Sequence, residues 1–325
     1  MLVLHVTPED DLSDILSKVT QPATIYLKKG VYRTKLVISA DDVTLIGEDR
    51  ETTVISYGDY ARKPHPDGGE YNTFRTFTVC VTGDRVVIEN LTVENSAGFP
   101  ETRGQSVALS VNARIFRARN IDILSTQDTL FLSPFPDDLI IRYSGLTDDP
   151  AYYDGFIPRD RLYMEGESFH YFENCRVAGT VDYVFGGARA LFYNCAFISL
   201  KDKRGLGFVA APSHSLKQSL GFLFHKCRFE FVGADEGSVY LARPWRDFGR
   251  CDFIDCSLDS HVSPLLFDKW NDTYRDRTAR FSYRDLSGRE ITPVPWAKEL
   301  TPEQANDIIN IFTALKNKYF GEKSI

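Results

Sequence analysis

The chain has 325 residues, 43% of them hydrophobic and 26% charged, and carries a formal net charge of −7. That balance suits a sizeable core in one large domain or two, and it gives no global electrostatic reason to bind nucleic acid or an anionic membrane surface. Aromatic residues are plentiful, with 23 Phe, 16 Tyr and 3 Trp, as in β-rich folds with broad contact surfaces.

The amino terminus, MLVLHVTPEDDL, has no basic leader, and its apolar stretch is short for a signal peptide. No run approaches the roughly 20 apolar residues of a membrane span. The expectation is a cytoplasmic protein; the alternative is a secreted one whose leader has been removed. Thr7 and Pro8 are read as the start of a capping helix within residues 1–22, with Leu12, Ile15, Leu16 and Val19 as its apolar face.

A repeat then occupies most of the chain. "YFENCRV", "LFYNCAF", "LFHKCRF" and "DFIDCSL" share one frame: an aromatic, two residues, Cys, one residue, then an apolar side chain. The same frame without Cys recurs in "VIENLTV" and "RARNIDI". Its centres are Leu91, Ile121, Cys175, Cys195, Cys227 and Cys256, spaced by 20 to 32 residues apart from one interval of 54. Self-similarity at this period, in short apolar strands without a helical pattern, predicts a parallel β-helix whose equivalent positions stack into ladders. Four of the six cysteines are then a buried thiol ladder, with disulfides or a metal site as the other readings. The long interval implies an excursion over about 132–160, in a stretch rich in Pro, Asp and Gly.

Just after that interval, "GTVDYVFGG" places Asp182 in the middle of an apolar strand. Asp182 lies seven residues after Cys175, and Asp128 lies seven after Ile121. If those frames belong to neighbouring coils, the two carboxylates stack about 5 Å apart. One then resists ionisation, which supplies an acid beside a base or nucleophile. Phase alone leaves open two unrelated, solvated aspartates. Asp202, seven after Cys195, would extend the stack to three carboxylates and suggest a hard cation; a charged surface turn is the other reading.

At the carboxyl end, Thr301-Pro302-Glu303-Gln304 is a capping-box start ahead of Ala305, Ile308, Ile309, Phe312 and Leu315. The organisation read from the chain is one domain over 1–325: a capping helix in 1–22, a β-helix over 23–290 and a helical tail over 291–325.

The segments "GQSVALSV", "STQDTLF", "AGTVDYVFG" and "YLARPW" resemble, in order, the four signature segments of the pectin methylesterase family. "VTLIGE", "NLTVENSAG" and "GFVAAPS" are similar to further segments of it. The resemblance covers about residues 25–260 and implies a single-stranded right-handed parallel β-helix. It implies an aspartyl carbohydrate esterase that hydrolyses C6 methyl esters of galacturonan or oligogalacturonides; a monomer with no metal and no cofactor is the accompanying expectation. Residue by residue, it implies Asp182 as nucleophile and Asp128 as general acid and then base. Gln127 and Gln105 are implied as oxyanion donors, Arg243 as the partner that keeps Asp182 ionised, and Trp245 as a stacking surface for a sugar ring. Beside that carry-over, Lys201, Lys203 and Arg204 are candidate contacts for substrate carboxylates, or else a solvated turn. The chain departs from the family's pattern at Gly187, where Asn is common, and at Ala242, where Gly is common. Rival functions are a calcium-dependent pectate lyase-like enzyme, a retaining glycoside hydrolase, and a carbohydrate-binding β-helix without activity. No GxSxG elbow, HExxH or phosphate-loop motif occurs in the sequence.

Overall fold

Strands of two to six residues recur along the chain and fall into three sheets. The computed structural model describes residues 1–66, 68–99, 102–136, 138–139 and 168–321. Among these residues the first sheet has 11 strands, from Leu2–Val6 through Phe169–Glu173 to Lys298–Glu299. The second has 8, from Gly30–Tyr32 to Ser257–Leu258, and the third 7, from Leu36–Ile38 to Val239–Ala242. Neighbouring strands in each sheet are parallel. The chain visits the three sheets in turn and comes back to the first, so each circuit is one coil of a parallel β-helix.

The register reproduces the sequence frames. Ala118, Phe172, Phe192, Phe224 and Phe253 are consecutive partners in the first sheet. Ile123, Val177, Phe197, Phe229 and Leu258 are consecutive partners in the second. Their side chains fill the interior. Phe224 lies between Phe192 and Phe253, at ring-centroid distances of 4.9 and 4.5 Å and interplanar angles of 10° and 2°. Burying each such ring stabilises the coil by roughly 1.5–3 kcal/mol.

Cys175, Cys195, Cys227 and Cys256 are buried and free, which disposes of the disulfide reading. Each of the last three directs its thiol at a carbonyl of the preceding coil: Phe172, Phe192 and Phe224, at 3.3–3.5 Å.

The residue before each ladder centre turns the chain from the first sheet to the second. Asn90, Asn120, Asn174 and Asn194 have φ of 52–55° there, a left-handed conformation that Asn tolerates better than most residues. Their amides stack as well, Asn120 Nδ2 donating to Asn90 Oδ1 at 2.8 Å and Asn194 Nδ2 to Asn174 Oδ1 at 2.6 Å. The repeated Asn is therefore a corner device.

Asp122 pairs with Arg176, so the frames at 121 and 175 do occupy neighbouring coils. The surplus chain lies between the third-sheet strand Leu130–Leu132 and the first-sheet strand Phe169–Glu173. Most of the expected 132–160 excursion falls outside the described residues.

The amino-terminal end differs from expectation. Leu2–Val6 is a strand paired with Ala23–Leu27, so the β-helix begins before residue 23. The helix spans only Leu12–Ser17, with Asp11 as its N-cap and Leu12 and Leu16 buried. Thr7 does not start it, because its hydroxyl and amide are engaged with Asp10 in the turn. At the other end the sheet extends to Glu299, past residue 290.

The C-terminal helix, Pro302–Phe320, has the expected capping box on Thr301 and Gln304. It buries Ala305, Ile308 and Phe312 against Phe169, Leu191 and Leu223 on the outer face of the first sheet.

Candidate active site

The third sheet carries the chemistry. Gln127 bridges to Val181 in parallel, the Asp128 amide donates to the Val181 carbonyl at 3.1 Å, and Leu130 pairs with Val184. Asp128 and Asp182 therefore occupy equivalent positions on adjacent strands, which are spaced by about 4.8 Å. Both have left-handed backbones, with φ of 60° and 51°, a conformation that costs on the order of 1–3 kcal/mol for a non-glycine residue. Gly179 and Gly186 flank the second of them. A Cβ on Gly179 would stand 2.2 Å from Tyr183 Cβ, and one on Gly186, at φ 124°, 2.0 Å from the Leu132 carbonyl oxygen. The glycines of "AGTVDYVFG" are thus what lets the strand sit this close to its neighbours. At Gly187 a Cβ would meet the Pro134 carbonyl oxygen at 2.9 Å, so the larger Asn common in the family is not accommodated without movement.

Arg243 reaches Asp182 as a two-pronged fork, Nε donating to Oδ1 at 2.8 Å and Nη2 to Oδ2 at 2.6 Å. Its amide is fixed on the Ala210 carbonyl. Its guanidinium carbon lies 3.8 Å from the Phe208 ring centre and 4.0 Å from that of Trp270, so it is clamped by two aromatic faces. Asp182 is 8% exposed. Burial raises its pKa, and the hydrogen bonds and charge of Arg243 oppose the rise. Asp128 is raised well above the ordinary carboxylate range, first by burial and then by the charge of Asp182. Of the pair, Asp182 alone is held by a guanidinium fork, so the arrangement favours the charge on Asp182 and the proton on Asp128.

The two glutamines stand beside them. The Ser106 amide donates to the Gln127 carbonyl at 3.0 Å, which stacks the Gln105 segment next to Gln127. The Gln127 amide lies near enough to Asp128 to oppose the rise in its pKa. Gln105, Gln127, Asp128, Asp182, Arg243 and Trp245 all line one cleft of about 460 Å³. Its floor includes Phe185 and Ala211, partners on successive strands, with the fully buried Phe131 paired to Phe185 on the other side. Trp245 meets Phe185 edge to face at 5.7 Å and is only partly buried, so it presents area to the cleft. The structure thus brings together every catalytic candidate, with Trp245.

The basic turn is divided. Arg204 lines an adjoining groove that shares Gln105 and Gln127 with the cleft, and it donates from Nη2 to Gln127 Oε1 at 3.1 Å. Lys203 lines the same groove with Arg62. Lys201 is not brought to either; it is exposed and paired with Asp235 at 3.0 Å. Asp202 does not stack on Asp182. Phe208 and Ala210 occupy the next strand there, and Asp202 is turned into an ion pair with Arg204. The chain spends seven extra residues in that turn, which defeats the seven-residue phase. The three-carboxylate ligand set is therefore not assembled, and among the described residues no group of three or more His, Cys, Asp or Glu side chains is placed to hold a metal ion.

Trp270 and Phe74, which also line the cleft, were missed in the sequence. Neither belongs to a repeat frame. Trp270 sits in a non-repeating segment at φ 70°, and Phe74 in a short 3-10 turn, Thr73–Arg75.

Comparison with known proteins gives the chain a family. The family model described as Pectinesterase matches residues 5–134 and 152–293. Pectinesterase 31 of Arabidopsis thaliana is 28% identical over 316 residues, which cover 94% of this chain and 87% of the relative. Pectinesterase QRT1 of the same plant is 27% identical over 316 residues, covering 94% and 72%. Among solved structures, pectin methylesterase from carrot superposes with a TM-score of 0.78 at 20% identity, covering 100% of this chain and 97% of that one. A pectin methylesterase in complex with a hexasaccharide gives 0.76 at 21% identity, covering 99% and 97%. The structural likeness shows the fold; with a family match across most of its length, the chain belongs to the pectinesterases, a family of carboxylic ester hydrolases.

Proposed function

We propose that this pectinesterase hydrolyses the C6 methyl ester of galacturonate residues through an acyl-enzyme formed on Asp182. The observation that carries the reading is the Arg243 fork on Asp182 beside the buried carboxyl of Asp128, whose pKa burial and the charge of Asp182 raise well above the usual range. A carboxylate is a weak nucleophile and must be charged to act. A guanidinium held between two aromatic rings keeps it charged without lending it a proton.

In the first half-reaction Asp182 attacks the ester carbonyl carbon, and the carbonyl oxygen becomes an oxyanion. The amide N–H groups of Gln127 and Gln105 donate to that oxygen. The C–O bond to methoxide breaks as Asp128 transfers its proton, so methanol leaves and an anhydride joins Asp182 to the sugar acid. In the second half Asp128, now ionised, takes a proton from water. The hydroxide adds to the same carbonyl, the anhydride opens, and Asp182 leaves as carboxylate with Asp128 reprotonated. Activity requires Asp182 ionised and Asp128 protonated, so it falls on the acid side through the first and on the alkaline side through the second.

The substrate class is methylated galacturonan or oligogalacturonide, supported by the family and by the hexasaccharide that a pectin methylesterase of the same fold binds. The partly exposed indole of Trp245 offers a face for a pyranose ring.

The test is methanol release from methylated oligogalacturonides, with and without chelator, for wild type and Asp182→Ala. Methanol that persists in chelator and disappears in the variant is the expected result. Ultraviolet-absorbing unsaturated products, or new reducing ends without methanol, would overturn it in favour of a lyase or a glycosidase.

A further inference from the structure

A carboxamide has two ends of nearly equal size, and its terminal torsion is broad. At an oxyanion site the choice of end is decisive, because one end donates a hydrogen bond and the other presents a second negative dipole to the developing charge. In this cleft the choice is made by a residue outside the catalytic set. Arg204 Nη2 lies 3.1 Å from Gln127 Oε1. A guanidinium can only donate, so it engages the carboxamide by its accepting oxygen and leaves the N–H₂ end for the other side, where Asp128 and the cleft lie.

Arg204 is itself anchored. Its Nε and Nη2 donate to Asp202 at 2.7 and 2.6 Å, and its own amide donates to Asp202 Oδ1 at 2.8 Å. The Asp202 side chain is 4% exposed. Although burial works to raise it, the Arg204 hydrogen bonds hold Asp202 below the usual carboxylate range, so the anchor stays charged. The two residues form a bracket that reaches from the turn after Leu200 to the coil carrying Asp128. This also accounts for an acidic residue that neither stacks with the catalytic pair nor faces solvent.

We propose that Arg204 is a positioning residue: braced on Asp202, it holds Gln127 by the carboxamide oxygen and so aims the amide N–H at the oxygen of the reacting ester. The inference rests on the oxyanion role given to Gln127 above. It differs from the expectation that Arg204 contacts substrate carboxylates, a role its half-exposed side chain and its place beside Arg62 and Lys203 would also allow.

The two roles separate on a fully methylated oligogalacturonide, which offers no free carboxylate. A positioning Arg204 gives an Arg204→Met enzyme whose kcat falls about tenfold or more, with KM within about threefold; loss of the amide donor itself costs on the order of 10²–10³. Arg204→Lys does not rescue it, because one ammonium cannot reproduce a fork that spans Asp202 and Gln127. Asp202→Asn, which leaves Arg204 in place but loosens its anchor, lowers kcat by a smaller factor.

A double-mutant cycle closes the test. In a Gln127→Ala background, the further change Arg204→Met has no additional effect on kcat. Melting temperatures measured in parallel identify any variant that fails to fold, and the Asp202→Asn and Arg204→Lys enzymes then carry the comparison. If Gln127→Ala keeps full activity, the oxyanion reading fails and this inference with it. If Gln127→Ala is impaired while Arg204→Met affects only KM, is rescued by Lys, or adds fully to Gln127→Ala, the positioning role alone is overturned.

Discussion

The wall formed by the first two sheets and the third sheet belong to the same coils, yet they hold their residues in opposite ways. On the first, Phe192, Phe224 and Phe253 repeat one side chain at one height, in relaxed strands, with the stacked thiols beside them. On the third, Asp128 and Asp182 sit at equivalent heights with left-handed backbones, two buried carboxyls served by one guanidinium fork. The first arrangement lowers the energy of the fold, while the second raises it and is tolerated because the coils on either side fix it. Periodicity kept for packing and periodicity used for chemistry can be told apart by whether the repeated residue is comfortable where it stands.

Four substitutions would break or sharpen that contrast. The largest effect is expected for Asp182→Asn, which keeps the shape and removes the nucleophile: methanol release should drop by about 10⁴-fold or more while circular dichroism reports an intact β-helix. Retention of more than about a tenth of the activity would remove Asp182 from its role.

Asp128→Asn should lower kcat by about 10³-fold and yet raise the melting temperature at neutral pH. The sign follows from its raised pKa. An unfolded Asp titrates near 3.9, so Asp128 imposes no penalty below about pH 4. Its contribution is lost as pH rises through the higher folded value, once the folded protein must hold a proton that the unfolded chain releases. The stabilisation by Asn should therefore vanish below about pH 4. A loss of stability at pH 7 would mean that the pair is not under electrostatic strain.

On the opposite wall the pattern inverts. Phe224→Ala should destabilise the protein by about 3–5 kcal/mol in denaturant titration, with kcat of the surviving folded fraction unchanged. Smallest is Cys195→Ala, which removes one sulfur from the ladder and should cost about 1 kcal/mol. A much larger loss, or loss of activity, would show the thiols to be more than filler.

The packing wall was legible because it repeats. The frame of aromatic, Cys and apolar residue encodes three stacked positions, and the Asn before the Cys encodes the corner. The carboxylate pair was legible for the same reason, since Asp128 and Asp182 keep the phase of their coils. Asp202 shows the limit of that reasoning: a longer turn shifts it out of phase, and nothing in a count of seven reports the shift. The helix at Leu12 and the strand before it were misjudged because Thr7 and Pro8 make a good helix start and an equally good turn between strand and helix. Trp270 and Phe74 belong to segments with no repeat at all. Their place in the cleft depends on how the chain leaves the coils, which only the assembled fold determines.

The C-terminal helix has a consequence for how the molecule comes apart. A stack of coils is close to one-dimensional, each layer touching only the next, and such an object can fray from an end. Here the last helix runs back along the outside and packs Phe312, Tyr319 and Phe320 on Phe169 and Tyr171, strands that precede it by well over a hundred residues. It also covers Leu191 and Leu223 of the two following coils. A coil near the carboxyl end cannot peel away without lifting this strap, and the strap cannot lift without uncovering the coils that flank Asp182. The helix couples the far end of the stack to the layers that carry the carboxylate pair, so an array that would melt layer by layer is made to open as a block.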